Sequence, residues 1–260
     1  MDILTELGVT ASDAWANDAI LWVEGPTEVG IFAALRKHKP ELLDGIEVRQ
    51  MAEKIRSARS RPSELDRLLE LLEEAATAML PFEVKATVLF DSDGLAPERQ
   101  AEIKAKARIP IHYLPCREIE NLLLSPEALA QLINIKRHDL GLDAVQDSEV
   151  AQHLESILAN LDDTELYPTG PASVDKMAVK GSVALQKLLD AFEHLRYDKV
   201  ADGAKLAGLI LNQNPDQLIP LLAPMDALRK AGCRRSPSPD FSSREGESAL
   251  TLDRPVDGRD

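Results

Sequence analysis

Residues 19–28 read AILWVEGPTE, and this stretch decides the fold. Apolar residues run from Ala19 to Val23 and are followed by Glu24, the turn-forming pair Gly25-Pro26 and a helical pattern. A short apolar run bounded by turn residues is typical of a buried parallel strand. Glu24 is therefore predicted at the carboxyl end of a strand, the edge where open α/β sheets bind their ligands.

Residues 84–94, VKATVLFDSDG, repeat this arrangement, with Asp91 and Asp93 at the end of a second apolar run. Strand and helix patterns alternate through the first 125 residues, which predicts a parallel sheet with right-handed crossovers. We expect an α/β fold with a four-stranded parallel sheet, helices on both faces and a helical C-terminal region. The predicted strands are 19–23, 45–50, 84–90 and 109–114.

The alternating pattern, the helical pattern beyond residue 125 and the composition of the C-terminal end divide the chain into four predicted segments. These are a lead-in over residues 1–18, an α/β domain over 19–125 that contains the acidic residues, a helical subdomain over 126–228 and a disordered tail over 229–260. The predicted tail is rich in Ser, Pro, Arg and Asp and has few apolar residues.

The formal net charge of −14 argues against a nucleic-acid-binding surface, because phosphates repel an acidic protein. The argument does not hold for nucleases whose carboxylates bind divalent ions, since the ions reverse the local charge. Cys116 and Cys233 lie far apart and form no disulfide framework, which suits a reducing cytosol. No signal peptide or membrane-spanning run is recognised, so a cytoplasmic protein without membrane contact is expected.

The acidic residues can each be explained locally, as groups that favour a helix N-terminus or a turn. Glu24, Glu28, Asp91 and Asp93 would nevertheless meet at one edge of a parallel sheet. Two carboxylates about 4 Å apart repel by roughly 4 kcal/mol at an effective dielectric constant near 20, so a cation is expected between them. Oxygen ligands without clustered His or Cys favour one or two Mg²⁺ or Mn²⁺ ions, which suit phosphoryl chemistry.

The motifs VEGPTE and LFDSDG resemble the Toprim domain. The lead-in LGVTASDAWANDAILWVEGPTE and the later REIENLL resemble, more narrowly, the OLD-type (overcoming lysogenization defect) endonucleases over about residues 5–125. The resemblance implies a Toprim-like fold and Glu24 as metal ligand or general acid/base. It implies further metal ligands at Glu28, Asp91 and Asp93, and one more at either Glu120 or Glu118 of REIEN. It also implies a lysine near the phosphate, for which Lys199 in RYDKVADGAKLAGLI is nominated and Lys180 is the rival.

OLD-type proteins join the Toprim module to an ABC-type ATPase, but this chain contains no GxxxxGK[ST] loop. No nucleotide site is therefore expected here. The resemblance implies a DNA endonuclease of phage defence that depends on Mg²⁺ or Mn²⁺. It also suggests a separate ATPase subunit as partner, and a homo-oligomer is left open.

A basic run interrupts the acidic background between residues 49 and 61. It is either a solvated surface or a strip that contacts the nucleic-acid backbone, and the second interpretation predicts binding by Arg49, Lys54, Arg56, Arg59, Arg61 and, further on, Lys180.

Two other functions stay open. LFDSDG also resembles the first motif of haloacid-dehalogenase-type phosphatases, with Asp91 as nucleophile and Asp93 as acid/base, but that fold needs a later strand ending in paired Asp. The third hypothesis is a catalytically inactive Toprim module that only binds a partner.

Overall fold

The computed structural model describes residues 16–51, 53, 65–79, 81, 83–92, 95–161 and 176–231. Its centre is one four-stranded sheet in the order β2-β1-β3-β4, and every neighbouring pair is parallel. The strands are β1 (Ala19–Val23), β2 (Ile46–Gln50), β3 (Lys85–Phe90) and β4 (Ile111–Tyr113). The predicted α/β fold with a parallel sheet of four strands is confirmed, and its architecture is Rossmann-like.

Helices cover both faces of the sheet and make up the C-terminal region of the chain. They are α1 (Pro26–His38), α2 (Leu65–Met79), α3 (Pro97–Lys106), α4 (Pro126–Asp139), α5 (Asp147–Ala159), α6 (Gly181–Ala191), α7 (Lys199–Gln213) and α8 (Leu222–Lys230). Short 3₁₀ segments occur at Pro40–Leu42, Ile119–Leu123 and Pro215–Leu221.

The alternation of side chains along β1 separates two hydrophobic cores, because successive strand residues point to opposite faces. Ile20 and Trp22 pack with residues of α2 and α3 on one face. Ala19, Leu21 and Val23 pack on the other face, in a core that continues through α1 into the helical C-terminal region. Helix α8 completes this second core, since it returns to pack against β1, β3 and β4.

Helices α1 and α7 pack closely, and a glycine of each helix faces the other helix. A Cβ atom at Gly30 of α1 would lie 3.4 Å from the carbonyl oxygen of Val200, and one at Gly203 of α7 would lie 3.3 Å from Cγ2 of Thr27. Both contacts involve the first turns of the two helices, so the N-terminus of α7 lies beside the N-terminus of α1. This places Lys199 at the same edge of the molecule as Glu28.

The predicted strands agree with the observed strands to within two residues at each end. The segment Pro215–Leu221 and helix α8 lie largely within the predicted helical subdomain, but their individual bounds were not predicted, because Pro215, Pro220 and Pro224 indicate helix breaks in the sequence. Helix α8 ends at Lys230, so the predicted start of a disordered tail at residue 229 is wrong by two residues. The predictions for residues 1–15 and 232–260 lie outside the described residues.

Within the part of the chain that the structure describes, no helix has the length and apolar character needed to span a membrane.

Candidate functional site

The ends of β1 and β3 are joined by a side chain. Oε1 of Glu24, the residue after β1, accepts a hydrogen bond of 2.7 Å from the backbone N–H of Asp91, the residue after β3. These residues meet because β1 and β3 are neighbours in register, with Trp22 opposite Val88. The predicted convergence of Glu24 and Asp91 at the carboxyl edge of the sheet is therefore observed, and Glu24 also has a structural role there.

Glu28 lies in the first turn of α1 and is almost inaccessible to solvent, with 7% of its surface exposed. Its Oε2 atom accepts a hydrogen bond of 3.0 Å from the backbone N–H of Gly25. The positive end of the helix dipole favours a carboxylate at this position. The bend at Gly25 thus directs Glu28 back towards the edge of the sheet.

The segment that follows β4 is attached to the end of β3. The hydroxyl of Ser92 donates a hydrogen bond of 2.6 Å to the carbonyl oxygen of Cys116, and the buried thiol of Cys116 donates to the carbonyl oxygen of Glu118 at 3.1 Å. Burial, followed by the negative charge of Asp91, raises the pKa of the Cys116 thiol, so this thiol stays protonated. Cys116 is a structural residue, and the segment it anchors carries Glu118 and Glu120.

Residues 118–121 are held in turn by the chain that leads into α6. Asn121 is completely buried, and its Nδ2 donates to the carbonyl oxygens of Lys176 at 2.6 Å and Val179 at 2.9 Å. Its Oδ1 accepts from the N–H of Glu118 at 2.8 Å. Oε2 of Glu118 accepts from the N–H of Ser182 at 2.8 Å, in the first turn of α6. One oxygen of Glu118 is thus committed to helix α6, which weakens its assignment as a metal ligand.

Glu120 is the most buried acid of the group, with 3% of its surface exposed. Its Oε1 lies 3.3 Å from Nζ of Lys199, the first residue of α7. The two residues are 79 positions apart in the sequence, and the fold brings them together as an ion pair. Lys199 therefore lies beside an acid of the REIEN segment, and its role near a phosphate stays a prediction.

Burial and the charges of neighbouring side chains together shift the pKa values of these groups. It raises the pKa of Glu28, and the negative charge of Glu120 raises it further, whereas hydrogen bonds to the carboxylate lower it. Burial also raises the pKa of Glu120, although Lys199 partly offsets the effect. For Lys199 burial lowers the pKa, but the charges of Glu120 and Glu118 outweigh burial and the pKa is raised. The site thus holds two buried carboxyl groups that repel each other and share one ammonium group.

Tyr197 is a further residue of this region that the sequence did not indicate. Its hydroxyl is shielded from solvent and has no hydrogen-bond partner among the described residues. Burial and the charge of Glu120 raise its pKa, so the hydroxyl stays a hydrogen-bond donor. No spacing or motif in the sequence signals Tyr197, because its position depends on how α7 packs against α1 and residues 119–123.

Of the remaining predicted site residues, the structure describes Lys180 and Arg49. Lys180 is the N-cap of α6 and follows Val179, whose carbonyl oxygen is bound by Asn121. Arg49 lies in β2, and its Nε is 3.2 Å from Oε1 of Glu47. An arginine paired with a neighbouring acid is less available to a phosphate, so the structure gives the proposed basic strip no support at Arg49. Asp93, Lys54, Arg56, Arg59 and Arg61 lie outside the described residues.

Among the residues that the structure describes, which exclude Asp93, no group of three or more His, Cys, Asp or Glu side chains is arranged to hold a metal ion. The metal site consequently stays a prediction. The support for a metal at this site is that its buried acids repel one another, because a bound cation would stabilise their ionised forms.

Comparisons of the chain with models of protein families, with curated proteins and with solved structures found no match.

Proposed function

We propose that this protein is a metal-dependent nuclease that hydrolyses phosphodiester bonds of DNA. The observation that supports the proposal is the convergence of carboxylates from three chain segments at the carboxyl edge of a parallel sheet. Glu24 and Asp91 are in contact there, and the buried Glu28 and Glu120 interact electrostatically beside Lys199. A fold gathers like charges in this way at a cost that a bound cation removes.

Glu24, Glu28, Asp91 and Asp93 are the residues that would hold Mg²⁺ or Mn²⁺, with Glu120 as a further ligand. The ions would supply a more acidic water and neutralise charge on the phosphate. Glu24 would orient or deprotonate the attacking water, because it is the carboxylate that follows β1 at the carboxyl edge of the sheet. Lys199 would neutralise the charge that grows on the phosphate.

The resemblance to the OLD-type nucleases suggests that a separate ABC-type ATPase subunit acts with this chain in the cytoplasm. The two other hypotheses have less support. No strand follows β4 in the described part of the chain, whereas the phosphatase hypothesis needs one that ends in paired Asp. An inactive interaction module would not need to bury Glu28 and Glu120 beside each other.

Glu24→Gln and Asp91→Asn are the variants that test the proposal. Glu24→Gln keeps an oxygen for the N–H of Asp91 and removes only the charge, so the join between β1 and β3 should persist. We expect each variant to lose at least 100-fold in Mn²⁺-dependent nicking of supercoiled plasmid, by analogy with the roughly 10²–10⁴-fold effect of a general base. Circular dichroism and thermal unfolding report whether the fold is retained.

Glu149→Gln is the control, because Glu149 is exposed on α5, away from the site. It should nick at the rate of the wild type. Wild-type rates in both site variants would show that Glu24 and Asp91 are not catalytic. Absence of Mn²⁺ binding to the wild type by calorimetry would favour the interaction module instead.

A further inference from the structure

The ion pair between Lys199 and Glu120 joins groups with very different exposure. The Glu120 side chain is 5% exposed, whereas the Lys199 side chain is 53% exposed, and the distance from Nζ to Oε1 is 3.3 Å. The ammonium therefore approaches the buried carboxylate from the solvent side.

The base of the Lys199 side chain is fixed even though its tip is exposed. Asp198 caps α7 by accepting hydrogen bonds of 3.0 Å from the N–H groups of Val200 and Ala201. The buried Asp202 accepts from the N–H of Asp198 at 2.8 Å and pairs with Lys136 at 2.9 Å. Movement of the ammonium is thereby restricted to rotation about the flexible four-carbon stem of Lys199.

The charge balance explains why the ammonium lies there. Glu28 and Glu120 are both buried and repel each other, and an unpaired buried carboxylate is costly. Lys199 supplies one positive charge to this pair, which is less than a divalent ion would supply. A divalent ion on either oxygen of the Glu120 carboxylate would lie close to the ammonium on Oε1, and two cations at that separation repel strongly.

We propose that Lys199 is a stand-in cation, which holds Glu120 in the metal-free protein and must release it when a divalent ion binds. This inference rests on the proposed function. Metal binding and the Lys199–Glu120 ion pair then exclude each other. The same exchange frees the ammonium to point towards solvent, where a phosphate would approach. The metal thus orders the site and makes the lysine available in one step.

Selective acetylation of lysines in the wild-type protein, followed by mass spectrometry, tests this exchange directly. With Mn²⁺ present at saturation we expect Lys199 to be acetylated several-fold faster than in metal-free buffer, because its ion pair is lost. Lys205 is the internal control, because it lies on the same helix and forms no ion pair within the described part of the chain. It should react at an unchanged rate.

Lys199→Met, which keeps the length of the stem and removes the charge, gives a second measurement. We expect it to bind Mn²⁺ roughly fivefold more tightly by calorimetry, the equivalent of about 1 kcal/mol for a half-exposed ion pair. It should also unfold at a lower temperature without metal, whereas Lys205→Met should match the wild type in both measurements.

The outcomes separate this inference from the proposed function. Mn²⁺ binding with no change in Lys199 acetylation and no gain of affinity in Lys199→Met would overturn the stand-in role and leave the metal site intact. Failure of both the wild type and Lys199→Met to bind Mn²⁺ would overturn the metal site itself.

Discussion

Asn121 shows how a single side chain can position a site without belonging to the chemistry. It is fully buried and makes three hydrogen bonds, to Glu118 N–H and to the carbonyl oxygens of Lys176 and Val179. Asn121→Ala leaves these groups without partners, so we expect the free energy of unfolding to fall by about 2–4 kcal/mol. Chemical denaturation measures the loss, and calorimetry should show weaker Mn²⁺ binding because Glu118 and Glu120 lose their support.

Asn134→Ala is the matched control for this prediction. Asn134, on α4, also binds backbone groups: its Nδ2 donates to the carbonyl oxygen of Val145 at 3.0 Å, and its Oδ1 accepts from the N–H of Val145 at 2.7 Å. It should destabilise the protein without weakening Mn²⁺ binding. Equal loss of metal affinity in both variants would show that Asn121 acts only through global stability.

Individual residues of the site differ in how well the sequence predicts them. Glu24 and Asp91 follow apolar runs, and the geometry of parallel sheets brings such positions together whatever the rest of the chain does. Asn121 and Tyr197 have no comparable signal, because their partners are distant in sequence and depend on helix packing. The second role of Glu118, as acceptor from α6, could not be predicted for the same reason.

The first residue of helix α6, Gly181, packs tightly against the backbone of Glu120 and Asn121. A Cβ atom at Gly181 would lie 2.6 Å from the backbone nitrogen of Asn121 and 2.8 Å from the carbonyl carbon of Glu120. Both neighbours are backbone atoms, so they cannot move aside cheaply. Gly181→Ala should therefore displace α6 from residues 118–121 and lower the free energy of unfolding by about 1–3 kcal/mol, measured by urea denaturation.

Gly30→Ala is the matched comparison, because at this helix contact an added methyl group is not expected to lower the free energy of unfolding. Its Cβ would meet Val200 and Ala204 at 3.4–3.5 Å, an ordinary van der Waals distance, and alanine favours a helix interior by up to about 1 kcal/mol. We expect Gly30→Ala to be neutral or stabilising. If the two substitutions had the same effect, close approach at Gly181 would not be the cause.

Elements were predictable where one periodicity dominated. Strand β1 was predicted at its observed bounds, because an apolar run bounded by turn residues indicates one structure. Helix α8 lies largely within the predicted helical subdomain, but its packing against the sheet is set by tertiary contacts rather than by local pattern and could not be predicted.

The stability of the whole molecule should depend on pH through the acids of the site. Burial raises the folded-state pKa of Glu28 and Glu120, so the folded protein binds protons more tightly than the unfolded chain. The stabilising contribution of these protons is complete below about pH 4.3, the ordinary pKa of Glu, and is lost as the pH rises through the raised pKa values.

Glu120→Gln tests this dependence, because an amide does not titrate. The difference in unfolding free energy between Glu120→Gln and the metal-free wild type should grow in favour of the variant as the pH rises from about 4.3 towards neutrality. Urea denaturation across this range measures the difference, with Glu149→Gln as a variant for which no such trend is expected. A difference that stays flat with pH would contradict the raised pKa of Glu120.

The packing of α7 against α1 also sets an order of events during synthesis. Glu28 and Glu120 leave the ribosome well before Lys199, and at about 5–20 residues per second the rest of α7 follows Glu120 by roughly 5–20 s. During that interval Glu28 and Glu120 lack the ammonium group that α7 supplies. All four strands also precede Lys199 in the chain, so the lysine is the last of these groups to be synthesised.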